Sequence, residues 1–212
     1  MQPIYAHKGV SMISVQVQGA AGHSSDPSLG HNALETMHPV MGALMQFRDE
    51  LAQQHQHPSF AVNVPTLNLG CLRAGDNPNR ICGHAELQID LRLLPGMDSD
   101  AIHKQLEQRC HDAVAGSHTQ LTVSTVYPPI PPFESAADGE LTTTLAALSG
   151  KAPGTVAFGT EAHFLQTLGM QTVVWGPGSI DQAHQPNEYL EQSHIRPAIE
   201  TLQQVIGRYC LT

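Results

Sequence analysis

The 212 residues are 41% hydrophobic and 14% charged, with ten Lys and Arg against nineteen Asp and Glu, a formal charge of −9. That balance repels nucleic acid and anionic membrane surfaces, and the apolar share supports a packed core, so small-molecule, metal or protein partners are favoured and neither nucleic acid nor a membrane is expected. No long apolar run, no signal-type start and no CxxC pair occurs among Cys71, Cys82, Cys110 and Cys210; the reading is a cytoplasmic protein with reduced, mostly packed thiols.

In chain order, Ile13, Val15 and Val17 alternate with polar residues and predict a strand over residues 12 to 18. A polar, Gly-rich stretch containing His23 follows. Leu34, Met37, Met41, Leu44, Met45 and Leu51 then recur at helical spacing, with Pro39 inside the pattern, which predicts a helix either kinked at the proline or starting afresh there. Residues 66 to 73 read as a strand, AGDNPN as a turn, and Ile81, Ala85, Leu87, Ile89 and Leu91 mark one face of a second strand closing a hairpin, with Arg92 on its wet face. Ile102, Leu106, Cys110 and Ala113 predict an amphipathic helix, and Leu121 and Val123 a final strand. The order is βαββαβ, an antiparallel sheet with two helices on one face.

The proline-dense run YPPIPPF, residues 127 to 133, reads as a boundary, so the first domain is set at 10–125 and the second at 126–212. Beyond it, helices over 138 to 148, 162 to 168 and about 189 to 208 alternate with apolar strands near Val156 and at TVVW, residues 172 to 175. The fold class is therefore α+β, a two-layer βαββαβ domain followed by an incomplete α/β segment whose sheet lacks its other half.

Thirteen histidines are present, but no HExxH, GxSxG or phosphate-loop motif accompanies them. His55, His57, His111 and His118 lie in polar helix or turn segments and are assigned no catalytic role. Gly176, Gly178 and His184 follow the apolar TVVW run, where small residues let backbone amides approach a ligand. His184 is there either a metal ligand oriented by Asp181 or Glu188, or an ordinary loop histidine. Glu161 stands after the preceding strand, behind the helix cap Thr160, as a capping carboxylate or a substrate contact. His23 is a loop histidine able to donate toward a developing oxyanion. Asn79 and Arg80 end the hairpin turn, and Arg92 carries a guanidinium suited to a carboxylate; a solvated turn and a cross-strand ion pair are their structural alternatives.

The segments VQGAAGHSSDPSLGHNALE, TLNLGCLRAGDNPNRI, IDLRLLPGM, FGTEAHFLQTLG and GPGSIDQAHQPNEYLE resemble the M20 metallopeptidase family, in its acetylornithine deacetylase branch, over about residues 5 to 210. The resemblance implies a catalytic α/β domain holding zinc or cobalt and an inserted βαββαβ lid that pairs into a homodimer. By it, His184 is the C-terminal metal ligand, His23 the lid histidine supporting the oxyanion in a neighbouring active site, Asn79 and Arg92 bind the substrate's carboxylate end, and Gly176 and Gly178 line the same site. It also implies hydrolysis of N2-acetyl-L-ornithine to L-ornithine and acetate in arginine biosynthesis. Acetylcitrulline or succinyl-diaminopimelate, distinguished around Glu161, are the alternative substrates. The family's HxD pair, bridging Asp and paired Glu ahead of the lid have no counterpart here. The expectation is thus a partial chain that binds no metal tightly and is inactive alone; a non-catalytic dimerisation module is the competing reading.

Overall fold

The first strand, β1 (Ile4–His7), is joined not to the sheet that follows it but to the C-terminal part of the chain. The computed structural model describes residues 1–211 and separates into one unit of Lys8–Pro132 and another of Met1–His7 with Phe133–Thr212.

The Lys8–Pro132 unit contains β2 (Ser11–Gln18), α1 (Ala33–Gln54), β3 (Thr66–Ala74), β4 (His84–Arg92), α2 (Ser99–Ala113) and β5 (Gln120–Thr125). Its sheet runs β3-β4-β2-β5 with every pair antiparallel, the βαββαβ order that the alternation implies. Ile13, Val15 and Val17 of β2 and Ala85, Leu87, Ile89 and Leu91 of β4 are buried. They meet α1, which buries Met37, Val40, Leu44, Phe47 and Leu51, while α2 buries Ile102, Leu106 and Cys110. Asn32 caps α1 by accepting from the Leu34 and Glu35 amides at 3.1 and 3.3 Å, and its own amide donates to Glu35 Oε1 at 2.9 Å.

The helix α1 passes through Pro39 as one continuous element, so it does not restart there. The missing N–H forfeits one backbone bond, a loss that the buried Met37, Val40 and Leu44 on either side offset. A second departure concerns β4, which begins at His84 and not at Ile81. Ile81 donates its amide to the Gly22 carbonyl, Cys82 accepts from Ala33, and Gly83 accepts from Gly19, so residues 81 to 83 bond the polar loop that carries His23 instead of extending the ladder.

The proline run is not a free linker. Val10 and Ile130 exchange two backbone bonds of 2.8 and 2.9 Å, and the units part at Pro132 and Phe133. The second unit contains β6 (Phe133–Glu134), α3 (Glu140–Ser149), β7 (Gly154–Val156), α4 (Ala162–Thr167) and α5 (Gln192–Tyr209), with β1 between β6 and β7. The strand expected at TVVW is absent: this segment touches β1 only at the Ile4–Val174 bridge. With β7 pairing one flank of β1 and β6 taking Ala6 and His7 on the other, only Ile4 is left for Val174.

Among the described residues all four cysteines are free. Cys110 is fully buried and its thiol pKa is pushed up to about 12, chiefly by burial with help from Glu107; Cys82 is also buried, Cys71 is partly covered and Cys210 is exposed. No helix among these residues is long and apolar enough to cross a membrane.

Candidate functional site

The loop between β2 and α1 folds back on itself because two glycines admit close backbone approach. Ala20 and His31 exchange two backbone bonds of 2.9 and 2.8 Å, and a side chain at Gly19 would collide with the His31 carbonyl, as one at Gly30 would with that of Ala20. At the tip, the Asp26 carboxylate accepts from the Ser28 amide at 3.0 Å and its hydroxyl at 2.6 Å, and these bonds hold its pKa below the ordinary value. His23 is exposed in this loop, with Nδ1 at 2.7 Å from Ser25 Oγ and accepting from the Ser25 amide at 3.2 Å. Because an amide N–H can only donate, Nδ1 carries the lone pair and the ring proton sits on Nε2.

The same loop is tied to the turn between β3 and β4. The Ser24 amide donates to the Asn79 carbonyl at 3.0 Å, and His23 forms a bridge with Arg80. The structure therefore brings His23 and Asn79 together. Arg80 is held by Asp76 at 2.6 Å and lines a polar cleft of about 550 Å³ that also contains Asn32 and the rings of His31 and His118, tilted by 31° with centroids 5.0 Å apart.

Arg92 lies elsewhere. It stands at the far end of β4, roughly 25 Å along the strand from His84, and so does not join His23 and Asn79 within this unit. Its guanidinium forms a bidentate pair with Asp90 of the same strand at 2.6 and 2.8 Å, not a cross-strand pair. Beside it, buried Lys8 donates to the Val64 carbonyl at 2.6 Å; burial lowers the Lys8 pKa, and the charge on Arg92 lowers it further.

In the second unit, Gly176 and Gly178 line a cleft of about 1110 Å³ together with Trp175, Glu188, Leu190 and His194. Gly178 has φ of +96°, which favours glycine, whereas Gly176 has nothing within 4 Å of an added Cβ and is not forced by its surroundings. His184 follows on the same loop, exposed, with φ of +61°. A β-carbon in that left-handed region costs roughly 1–2 kcal/mol, a strain frequent at functional positions. Neither expected carboxylate reaches the imidazole: Glu188 accepts from the His184 backbone amide at 3.2 Å, and Asp181 from the Ser179 hydroxyl at 3.1 Å. His184 fits as one nitrogen ligand, but among the described residues no group of three or more His, Cys, Asp or Glu is arranged to hold a metal ion. These residues therefore do not make a complete zinc or cobalt site, and no catalytic step is derived through one.

Glu161 precedes α4 and makes no side-chain cap bond; Thr160 caps instead, accepting from the Ala162 amide at 3.2 Å. Sequence reasoning missed His7, fully buried in β1, whose Nε2 accepts from the Thr160 amide at 3.3 Å and whose ring lies 5.3 Å from that of Phe133. It fixes the backbone just before Glu161. Nothing in the pattern IYAHKG signals that contact, because the two residues are paired only by the fold.

The M20 peptidase dimerisation domain model matches residues 5–117. Over 99% of its length the chain is 44% identical to an acetylornithine deacetylase of Klebsiella pneumoniae and 42% identical to one of Aliivibrio fischeri. It covers 55% of each, so it spans about half the length of the curated relatives it matches. Among solved structures, a tripeptidase from Staphylococcus aureus superposes with a TM-score of 0.71 at 17% identity, over 97% of this chain and 52% of that one. The di-peptidase Dug1p from Saccharomyces cerevisiae gives 0.71 at 14% identity, over 100% of this chain and 56% of the other. At such identities these two show a shared fold and nothing finer.

Proposed function

We infer that this chain, which belongs to the M20 metallopeptidase family, supplies the lid and the C-terminal part of the catalytic unit of a zinc- or cobalt-dependent amidohydrolase that cleaves N2-acetyl-L-ornithine to L-ornithine and acetate. The observation that carries the substrate assignment is the 44% identity, over 99% of this chain, to a relative named acetylornithine deacetylase. His184 is read as one metal ligand. His23, with its proton on Nε2, is read as the donor to the oxyanion that forms when the acetyl carbonyl is attacked. Asn79 and Arg92 are assigned to the substrate's carboxylate end, the Gly176 and Gly178 loop to its backbone contacts, and Glu161 to its side chain. On this reading the chain alone does not turn over substrate, because among the described residues no group of three or more His, Cys, Asp or Glu is arranged to hold the metal ion that the hydrolysis requires.

The test is a chimaera in which this chain replaces the part of the Klebsiella pneumoniae relative that it matches. With zinc or cobalt the chimaera is expected to release ornithine, and the unaccompanied chain to release none. A higher kcat/KM on acetylcitrulline or succinyl-diaminopimelate than on acetylornithine would overturn the substrate assignment.

A second reading, a dimerisation module without turnover, is favoured by the family match to residues 5–117 and by a lid that closes its own core. Both readings share a homodimer built through the lid, since β3 and β5 are edge strands and a two-fold pairing covers both copies with one surface. Sedimentation equilibrium is expected to show a concentration-dependent rise from 22.8 kDa toward twice that mass. A constant monomer mass across the micromolar range would reject the dimer.

A further inference from the structure

We propose that His7 is a positioning residue for recognition of the substrate's side-chain ammonium: by holding the Thr160 amide it sets the loop between β7 and α4, and with it the place where the Glu161 carboxylate stands. The proposal rests on the acetylornithine reading above.

The strand β1 is the central strand of its sheet and runs parallel to β7, with His7 opposite Val156. His7 is therefore the last residue of one parallel strand, and the loop 157–161 leaves the carboxyl end of the other, the place where open α/β sheets build their ligand contacts. An apolar side chain would fill this position without a desolvation cost, whereas a fully buried imidazole persists only where it is hydrogen-bonded. His7 Nε2 accepts from the Thr160 amide at 3.3 Å, and the ring packs with its centroid 5.3 Å from that of buried Phe133, its partner across β6. Because an amide N–H can only donate, Nε2 carries the lone pair and the ring proton sits on Nδ1, the reverse of the arrangement at His23.

The bond acts on a helix with little rigidity of its own. With six residues, α4 is too short to fix its own start. Its far end is tied to β6 by Gln166, whose amide donates to the Glu134 carbonyl at 2.7 Å. Its near end is tied through Thr160, whose hydroxyl accepts from the Ala162 amide at 3.2 Å while its own amide reaches His7. Between the two ties Glu161 is exposed and makes no side-chain cap bond, so capping does not account for a carboxylate there. A carboxylate separates a substrate ending in an ammonium from an uncharged one of similar length only when it is held in place, because the attraction falls with distance and a loose group must first be ordered.

The test uses both the chimaera and the chain alone. In the chimaera, His7→Leu removes the acceptor and is expected to lower the ratio of kcat/KM on acetylornithine to that on acetylcitrulline about tenfold or more. His7→Gln, whose side-chain oxygen can accept from the Thr160 amide, is expected to keep most of that ratio. Joined to Glu161→Gln, His7→Leu is expected to lower the ratio no further than Glu161→Gln does by itself. In the chain alone, hydrogen exchange at the Thr160 amide is expected to quicken in His7→Leu and to stay slow in His7→Gln. Equal slowing of both substrates by His7→Leu, the mark of a merely structural role, or additive losses with Glu161→Gln would overturn the proposal. Should His7→Leu fail to fold, His7→Gln decides: the selectivity ratio and the protection of the Thr160 amide must hold or fall together, and either moving without the other overturns it. A chimaera that hydrolyses neither substrate would instead sink the functional reading, while the exchange measurement still decides whether His7 holds the loop.

Discussion

Replacing His23 by alanine in the chimaeric enzyme is expected to lower kcat by about 100- to 1000-fold, with KM changed little, the signature of a donor that acts in the transition state. The geometry sets this expectation. The Ser25 amide fixes Nδ1 as an acceptor, so the proton on Nε2 is oriented before substrate arrives. Gly19 and Gly30 permit the fold-back that presents the ring, and the Ser24–Asn79 backbone bond of 3.0 Å anchors the loop to the β3–β4 turn. A preorganised donor costs no reorganisation at the moment of reaction, which is why its removal is felt in kcat. Steady-state kinetics of His23→Ala and His23→Gln decide the matter. Gln retains an N–H donor and is expected to recover part of the loss. A rise in KM with kcat unchanged would reassign His23 to ground-state binding.

Much of the lid was legible in the sequence because its sheet has one wet face and one packed face. Period-two alternation in β2 and β4 then maps directly onto burial, with Val15 and Leu91 fully buried and Gln16 and Gln18 exposed. The second unit was less legible for a physical reason. The strands β1 and β6 have four and two residues, too few to display a period, and β1 is paired with segments more than a hundred residues away. The run TVVW has strand composition but lacks a continuous neighbour, and composition alone does not reveal whether a partner exists.

The candidate site divides in the same way. That His23, Gly178 and His184 lie in loops could be read from Gly and polar residues flanking apolar runs. That His23 and Asn79 are neighbours could not, because fifty-odd intervening residues carry no record of which backbone groups meet. Nor could Arg92 be separated from Asn79 by spacing: thirteen positions apart in a turn and strand places them either side by side or, as here, at opposite ends of β4. The left-handed backbone of His184 and the capture of Glu188 by its amide are set by the loop's own closure, which leaves no periodic trace.

Truncating Phe47 to alanine is expected to destabilise the Lys8–Pro132 unit by about 3–5 kcal/mol. Phe47 is 1% exposed on the buried face of α1, among the side chains that α1 and the sheet share. The guanidinium of Arg109, from α2, lies 4.7 Å over its ring and reaches Glu50 at 2.5 Å, so the ring also holds the two helices together. Deleting it leaves a cavity that close-packed neighbours fill only in part, and Arg109 loses its aromatic platform while keeping a half-exposed ion pair that contributes little. With a domain's net stability of about 5–15 kcal/mol, that cost is a large fraction of the whole. Urea denaturation followed by circular dichroism is expected to show a much lower midpoint for Phe47→Ala. Met45→Ala, on the same helix but 41% exposed, is expected to stay within about 0.5 kcal/mol of the parent. Equal midpoints for the two variants would contradict the packing of α1 against α2 and the sheet. The loss is expected to carry through to the proposed homodimer, which would form only from the folded fraction, so Phe47→Ala is expected to weaken self-association in sedimentation equilibrium where Met45→Ala does not.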